Sequence, residues 1–165
     1  MILLDTNVVS EPLRPALEAR VIEWRIDAQP LETLYLSAMT VAELRAGVAL
    51  LPAGKRRNNL HENLGKRVLP MFVGRVLPFD LACTNAYAQV LATARRAGSA
   101  IGTADALIAA VASANEFTVA TRDTSPFQAA RLTVINPGRT YKASHTAIQP
   151  YSHTAIWSLH CGRHM

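Results

Sequence analysis

Short apolar runs recur along the chain, and each is closed by a polar or turn-forming residue. Ile2-Leu3-Leu4 runs straight into Asp5 and reads as a parallel strand buried on both faces. Leu34-Tyr35-Leu36 reads the same way, as does Arg75-Val76-Leu77 before Pro78. Phe117 to Thr121 is rich in β-branched residues and predicts a fourth strand. Leu132-Thr133-Val134-Ile135, halted by Asn136-Pro137-Gly138, predicts a fifth.

Between the runs the period changes to that of a helix. Pro15 to Asp27 carries Leu17, Val21 and Trp24 at helical spacing, with Pro15 suited to a first turn. Thr40 to Leu51 is apolar around Glu43. Lys55 to Leu69 alternates charge with Leu60, Leu64 and Val68, and Pro70 closes it. Asp80 to Ala97 stops at Gly98, and Thr103 to Ala114 stops at Asn115. Alternating strands and helices predict an α/β domain built on a parallel sheet.

The 165 residues suit one domain, and a 50% hydrophobic content supplies a core. No apolar run reaches the roughly 18 residues of a membrane span. The first residues meet an acid at once and lack a basic leader, so no signal peptide is read there. Cys83 and Cys161 have no metal-site or disulfide-framework spacing, and the expected compartment is the cytoplasm. Every acid lies before residue 142, so the formal charge of +5 overstates how basic that part is. The charge permits a polyanionic partner without demanding one.

From Lys142 onward the composition shifts. Ser144-His145-Thr146-Ala147-Ile148 recurs as Ser152 to Ile156, and His145, His153, His160 and His164 fall in this stretch. Residues 1–141 are read as the domain and 142–165 as an atypical, poorly ordered tail, with a metal-binding histidine tract as the alternative.

Four acids share one kind of placement. Asp5 ends the first strand, Asp123 follows the fourth, and Glu43 and Asp105 fall in the first turns of helices. In an open α/β sheet, ligands bind beyond the carboxyl ends of the strands, where the helices begin. Converging carboxylates repel unless a cation sits among them. Hard oxygen donors without His or Cys select Mg²⁺ or Mn²⁺. Such an ion lowers the pKa of a water and offsets the charge of a phosphodiester, which suits phosphoryl hydrolysis. Each acid also has a plainer reading. Thr40-x-x-Glu43 fits a capping box, Asp105 suits a helix dipole, and Asp5 or Asp123 can cap a turn.

The motifs around these acids resemble the PIN-domain family, and within it the toxins of the VapC/FitB type. The resemblance lies in Met1-Ile2-Leu3-Leu4-Asp5-Thr6-Asn7-Val8-Val9-Ser10-Glu11, Thr40 to Gly47, Thr103 to Ala112, and Thr118 to Asp123. Phe127 also fits; Pro126 stands where such proteins often have an acid. The match runs over roughly residues 1 to 140. It implies a three-layer α/β/α sandwich around a short parallel sheet. It implies an Mg²⁺- or Mn²⁺-dependent endoribonuclease that hydrolyses RNA with metal-activated water. Asp5, Glu43, Asp105 and Asp123 carry over as catalytic and metal-binding acids, and Asn7 and Thr121 as polar neighbours that orient them. The plainer alternatives are a turn residue for Asn7 and a strand-surface residue for Thr121. The resemblance also implies a cognate antitoxin that blocks the site, contact with operator DNA only through that antitoxin, and a homodimer.

Lys55, Arg56 and Arg57, with Lys66, Arg67 and the Arg95-Arg96 pair, are read first as solvated helix surface and alternatively as RNA guides. Trp24, Tyr35 and Tyr87 read as core rather than as base-stacking platforms. Three rival functions remain at this point. One is an aspartate-nucleophile phosphohydrolase, which typically carries a second Asp where this chain has Asn7. The others are an antitoxin-binding corepressor with little catalysis and a structure-specific DNA nuclease.

Overall fold

The computed structural model describes residues 1–10 and 29–138. The helix expected over Pro15 to Asp27 (with Trp24), Cys161 and the 142–165 tail lie outside the described residues. Five strands form one parallel sheet: β1 (Ile2–Leu4), β2 (Leu34–Ser37), β3 (Val76–Leu77), β4 (Thr118–Ala120) and β5 (Val134–Ile135), in the order β3-β2-β1-β4-β5. Ile2 stands opposite both Leu34 and Thr118, so β1 is paired on both sides. The described helices are α1 (Thr6–Val9), α2 (Ala38–Ala49), α3 (Lys55–Asn63), α4 (Leu81–Arg96), α5 (Thr103–Ala114) and α6 (Ser125–Ala129).

Alternation along β1 explains the three layers. Ile2 and Leu4 point to one face and pack with Leu44 and Val48 of α2 and with Leu64, Val68 and Phe72. Leu3 points to the other face and packs with Val90 of α4 and with Ala109 and Ala112 of α5. Small residues on α5 let it lie close to α4. Both sides of the sheet are thus covered, as the continuous apolar run predicts. Tyr35 packs edge-on against Phe117 at 4.9 Å, and Tyr87 against Phe79 at 6.2 Å. Both tyrosines are half-buried core residues, as expected. Gly98, at φ 70°, ends α4, its N–H donating to Arg95 O.

Two segments differ from the sequence reading. The helix expected from Lys55 to Leu69 is α-helical only to Asn63. It then widens into a π turn at Leu64–Val68 and tightens into a 3₁₀ turn at Leu69–Phe72. Pro70 has no N–H and its ring crowds the carbonyl four residues back, so the preceding turn widens rather than stopping. The other segment is α2, which begins at Ala38 rather than Thr40, because Ser37 caps it.

Arg75 ties the sheet edge together. Its guanidinium donates to the carbonyls of Leu31, Leu34 and Met71 and lies 5.5 Å from the centre of the Phe72 ring. Arg75→Met should destabilise the fold by about 2 kcal/mol in urea titration, since several carbonyls lose a charged donor. Arg75→Lys should recover little, because an ammonium does not reproduce the planar fork.

Candidate active site

The strand order reverses between β1 and β4, the place where an open α/β sheet takes ligands beyond the carboxyl ends of its strands. Asp5 leaves β1 at that point, 4% exposed, with its N–H bonded to Ala120 O of the neighbouring strand. Its Oδ1 accepts from Thr6 N at 2.7 Å, which caps α1. Its Oδ2 accepts from Asn7 Nδ2 at 2.8 Å and from the Thr121 hydroxyl at 2.7 Å. The capping role read from the sequence is therefore real, and it occupies only one carboxylate oxygen.

Thr121 is fully buried just past β4. Its oxygen also accepts from Asn7 Nδ2 and from Asp123 N, each at 3.1 Å. Asn7 Oδ1 in turn accepts from Arg122 N at 3.0 Å. Asn7 and Thr121 thus form a polar bridge between the turn after β1 and the turn after β4. Asp123 is exposed and does not cap α6, whose cap position is Thr124.

Glu43 is not where the capping-box reading puts it. Ser37 Oγ accepts from Thr40 N at 2.9 Å and does the capping. Glu43 therefore sits beyond the first turn of α2, and its Oε2 accepts from the Thr6 hydroxyl at 2.5 Å. The signal for this was present in the sequence: a serine directly after the apolar strand and before the helical period. Thr6, absent from the sequence-derived site, joins it here. Asp105 does lie in the first turn of α5, which has no side-chain cap. Gly102 precedes that helix, and a Cβ there would meet Asp105 Oδ2 only at ordinary contact distance, 3.5 Å.

Asp5 and Asp105 lie near enough to the other acids to feel their charge. Burial pushes the Asp5 carboxyl up from 3.8 to about 6; hydrogen bonds from Thr121 and Thr6 oppose this, and the charges of Asp105 and Glu43 add to it. Asp105 is also raised, by burial first and then by Glu43 and Asp123. Among the described residues, no three His, Cys, Asp or Glu side chains converge tightly enough to grip one ion directly. The donor set is nevertheless all hard oxygen with surplus negative charge. That fits a hydrated Mg²⁺ or Mn²⁺, which keeps several waters and takes only one or two carboxylates directly.

The basic residues stand elsewhere. Lys55 and Arg56 open α3 and are exposed; Lys66 pairs with Glu62 at 2.6 Å. Arg57, Arg45 and His61 rim a cleft of about 780 Å³ between α2 and α3 whose lining includes Val48, Leu64 and Leu69. Arg45 is two positions from Glu43, about 200° around the helix, so the cleft and the acids flank opposite sides of α2.

A three-layer α/β/α sandwich with acids gathered at its switch point defines the class, and the sequence places it: the chain belongs to the PIN-domain family, whose profile matches residues 2–132. It is 67% identical over 137 residues to the plasmid stability protein StbB of Pseudomonas syringae pv. tomato, covering 83% of this chain and 98% of that one. It is 57% identical over 137 residues to the VapC ribonuclease Y4jK of Sinorhizobium fredii, covering 83% and 97%. Among solved structures it resembles FitAB bound to an IR36 DNA fragment, at 52% identity and a TM-score of 0.82, covering 87% of this chain and 99% of that one.

Proposed function

We propose that this protein is the toxin of a toxin–antitoxin pair, a metal-dependent endoribonuclease acting in the cytoplasm. The observation that carries the reading is Asp5. It is a buried carboxylate at the sheet's switch point, held by three donors, its pKa raised by burial first and then by the charges of Asp105 and Glu43. The likeness to a protein named a VapC ribonuclease supports the substrate class.

Asp5 and Asp105 would hold the principal Mg²⁺ or Mn²⁺, directly or through water, with Glu43 and Asp123 completing the shell. When bound, the ion lowers the pKa of a water and offsets charge on the phosphodiester. Thr121, Asn7 and the Thr6 amide fix the Asp5 carboxylate before substrate arrives. Water attacks phosphorus in line with the 3′ oxygen, leaving a 5′ phosphate and a 3′ hydroxyl, and the 2′-OH takes no part. A nucleophilic aspartate is the poorer fit, because both oxygens of Asp5 are engaged and its carbon skeleton is enclosed.

Residues 1–141 form the catalytic domain in this reading, with 142–165 appended to it. A cognate antitoxin binds the protein and carries it to operator DNA, as the likeness to a FitAB complex on DNA supports. The cationic, partly apolar cleft at Arg45, Arg57 and His61 offers such a partner an anchoring surface, and the active form is a homodimer. Lys55 and Arg56 act as solvated surface or as weak RNA guides; replacing both with Gln should leave the salt slope of RNA binding unchanged if they are surface only.

Cleavage of a mixed RNA pool, with Mg²⁺, Mn²⁺ or EDTA, tests the proposal. Wild type should cut only with metal, and Asp105→Asn should lower the rate by at least about a thousandfold. Cyclic 2′,3′-phosphate ends, or full activity in EDTA, would overturn it.

A further inference from the structure

Thr6 touches two of the four acids at once. Its backbone N–H donates to Asp5 Oδ1 at 2.7 Å, and its hydroxyl donates to Glu43 Oε2 at 2.5 Å. The second bond runs from a hydroxyl to a carboxylate oxygen on another helix. This hydrogen bond on the Glu43 side chain links α1 to α2.

The origin of that hydroxyl is fixed. Asp5 caps α1 through the Thr6 amide, and Ser10 N closes the turn onto Thr6 O at 2.9 Å. A β-branched side chain at this position has few rotamers left. Glu43 has the opposite character. It is long and half-buried, and negative charge surrounds it at Asp5 and Asp105. Left alone, such a glutamate swings toward water, both for rotamer freedom and to escape like charge.

We infer that Thr6 is a positioning residue for Glu43: its hydroxyl holds the Glu43 carboxylate against α1, at a set distance from Asp5, before any cation binds. This inference rests on the metal-dependent reading of the site. It also gives position 6 a requirement that Asp5 alone does not impose. Any residue with an N–H can serve the Asp5 cap, but only one with a short hydroxyl can also hold Glu43.

The test is Mn²⁺ binding, by calorimetry, to the full-length protein without RNA. Thr6→Val keeps the shape and the amide and loses only the hydroxyl. It should weaken Mn²⁺ by about tenfold or more, while the metal-free melting temperature stays within a few degrees. Thr6→Ser should restore affinity to within about threefold. Adding Thr6→Val to Glu43→Ala should bring no further loss, because Thr6 acts through Glu43. Cleavage rates should follow the same order. Wild-type affinity in Thr6→Val, or an additional loss in the double variant, would overturn the Thr6 role while leaving the metal site standing. Failure of wild type to bind Mn²⁺ would overturn the site reading and the Thr6 role together.

Discussion

Asp5→Asn should end RNA cleavage and, in the metal-free protein, make the fold more stable at neutral pH. The two effects have one cause. Asp5 is buried, and its folded-state value of about 6 lies above the 3.8 of an unhindered aspartate. The folded state therefore binds this proton more tightly than the unfolded chain does. The stability this group contributes is fully present below pH 3.8 and is lost as pH rises through 6. A shift of this size corresponds to about 3 kcal/mol across that window. An amide at position 5 carries no charge and escapes the loss. It also turns one N–H₂ toward the donors of Asn7, so the net gain should be about 1–2 kcal/mol. Urea titration in EDTA at pH 7.5 should show the variant ahead, and at pH 4, where the protonated wild type regains most of that stability, the variant should fall behind. A variant destabilised equally at both pH values would mean that burial does not strain the Asp5 charge.

Adding metal should invert the ranking. A ligand that binds only the folded state stabilises by mass action. Millimolar Mn²⁺ at pH 7.5 should therefore raise the wild-type melting temperature and leave Asp5→Asn where it was. A site that costs stability when empty and recovers it when filled is the expected behaviour of acids assembled for a cation.

Most of this arrangement was legible in the sequence, for identifiable reasons. Ile2-Leu3-Leu4 is short and apolar throughout, the pattern of a strand covered on both faces, and Asp5 follows at its carboxyl end. Asp105 was equally plain, three residues into a helix that begins after Gly102. Glu43 was harder. Its sequence, Thr40-x-x-Glu43, satisfies a local capping rule, and local rules cannot report that Ser37 has already done the capping. The bond from Thr6 to Glu43 joins residues 37 apart, and no periodicity encodes it. The helix from Lys55 misled for a related reason: spacing of Leu60, Leu64 and Val68 fixes which side is buried, but not how the backbone adapts to Pro70. Contacts set by sheet order and helix crossing were the illegible part, and the polar network depends on them.

Thr121 is where that network can be broken most cleanly. The plain reading of a threonine at the end of a strand predicts that Thr121→Val is neutral or mildly stabilising, since valine is a good strand former of the same size. The structure gives the opposite expectation. The hydroxyl is fully buried, donates to Asp5 and accepts from Asn7 and from the Asp123 amide. Valine would strip an acceptor from two donors, out of reach of bulk water, and remove one of the bonds that oppose the upward shift of Asp5. The expected cost is about 3 kcal/mol in urea titration, with metal affinity down by about tenfold or more. Thr121→Ser should recover most of both. The acid titration of Asp5 in the metal-free protein should also move upward in Thr121→Val, because a bond to its charged form is gone. Loss of stability without movement of that titration would assign Thr121 to packing alone. Movement of both would show that this hydroxyl couples the turns after β1 and β4, beside the bond from Arg122 N to Asn7 Oδ1, and that the geometry of the acids depends on that coupling.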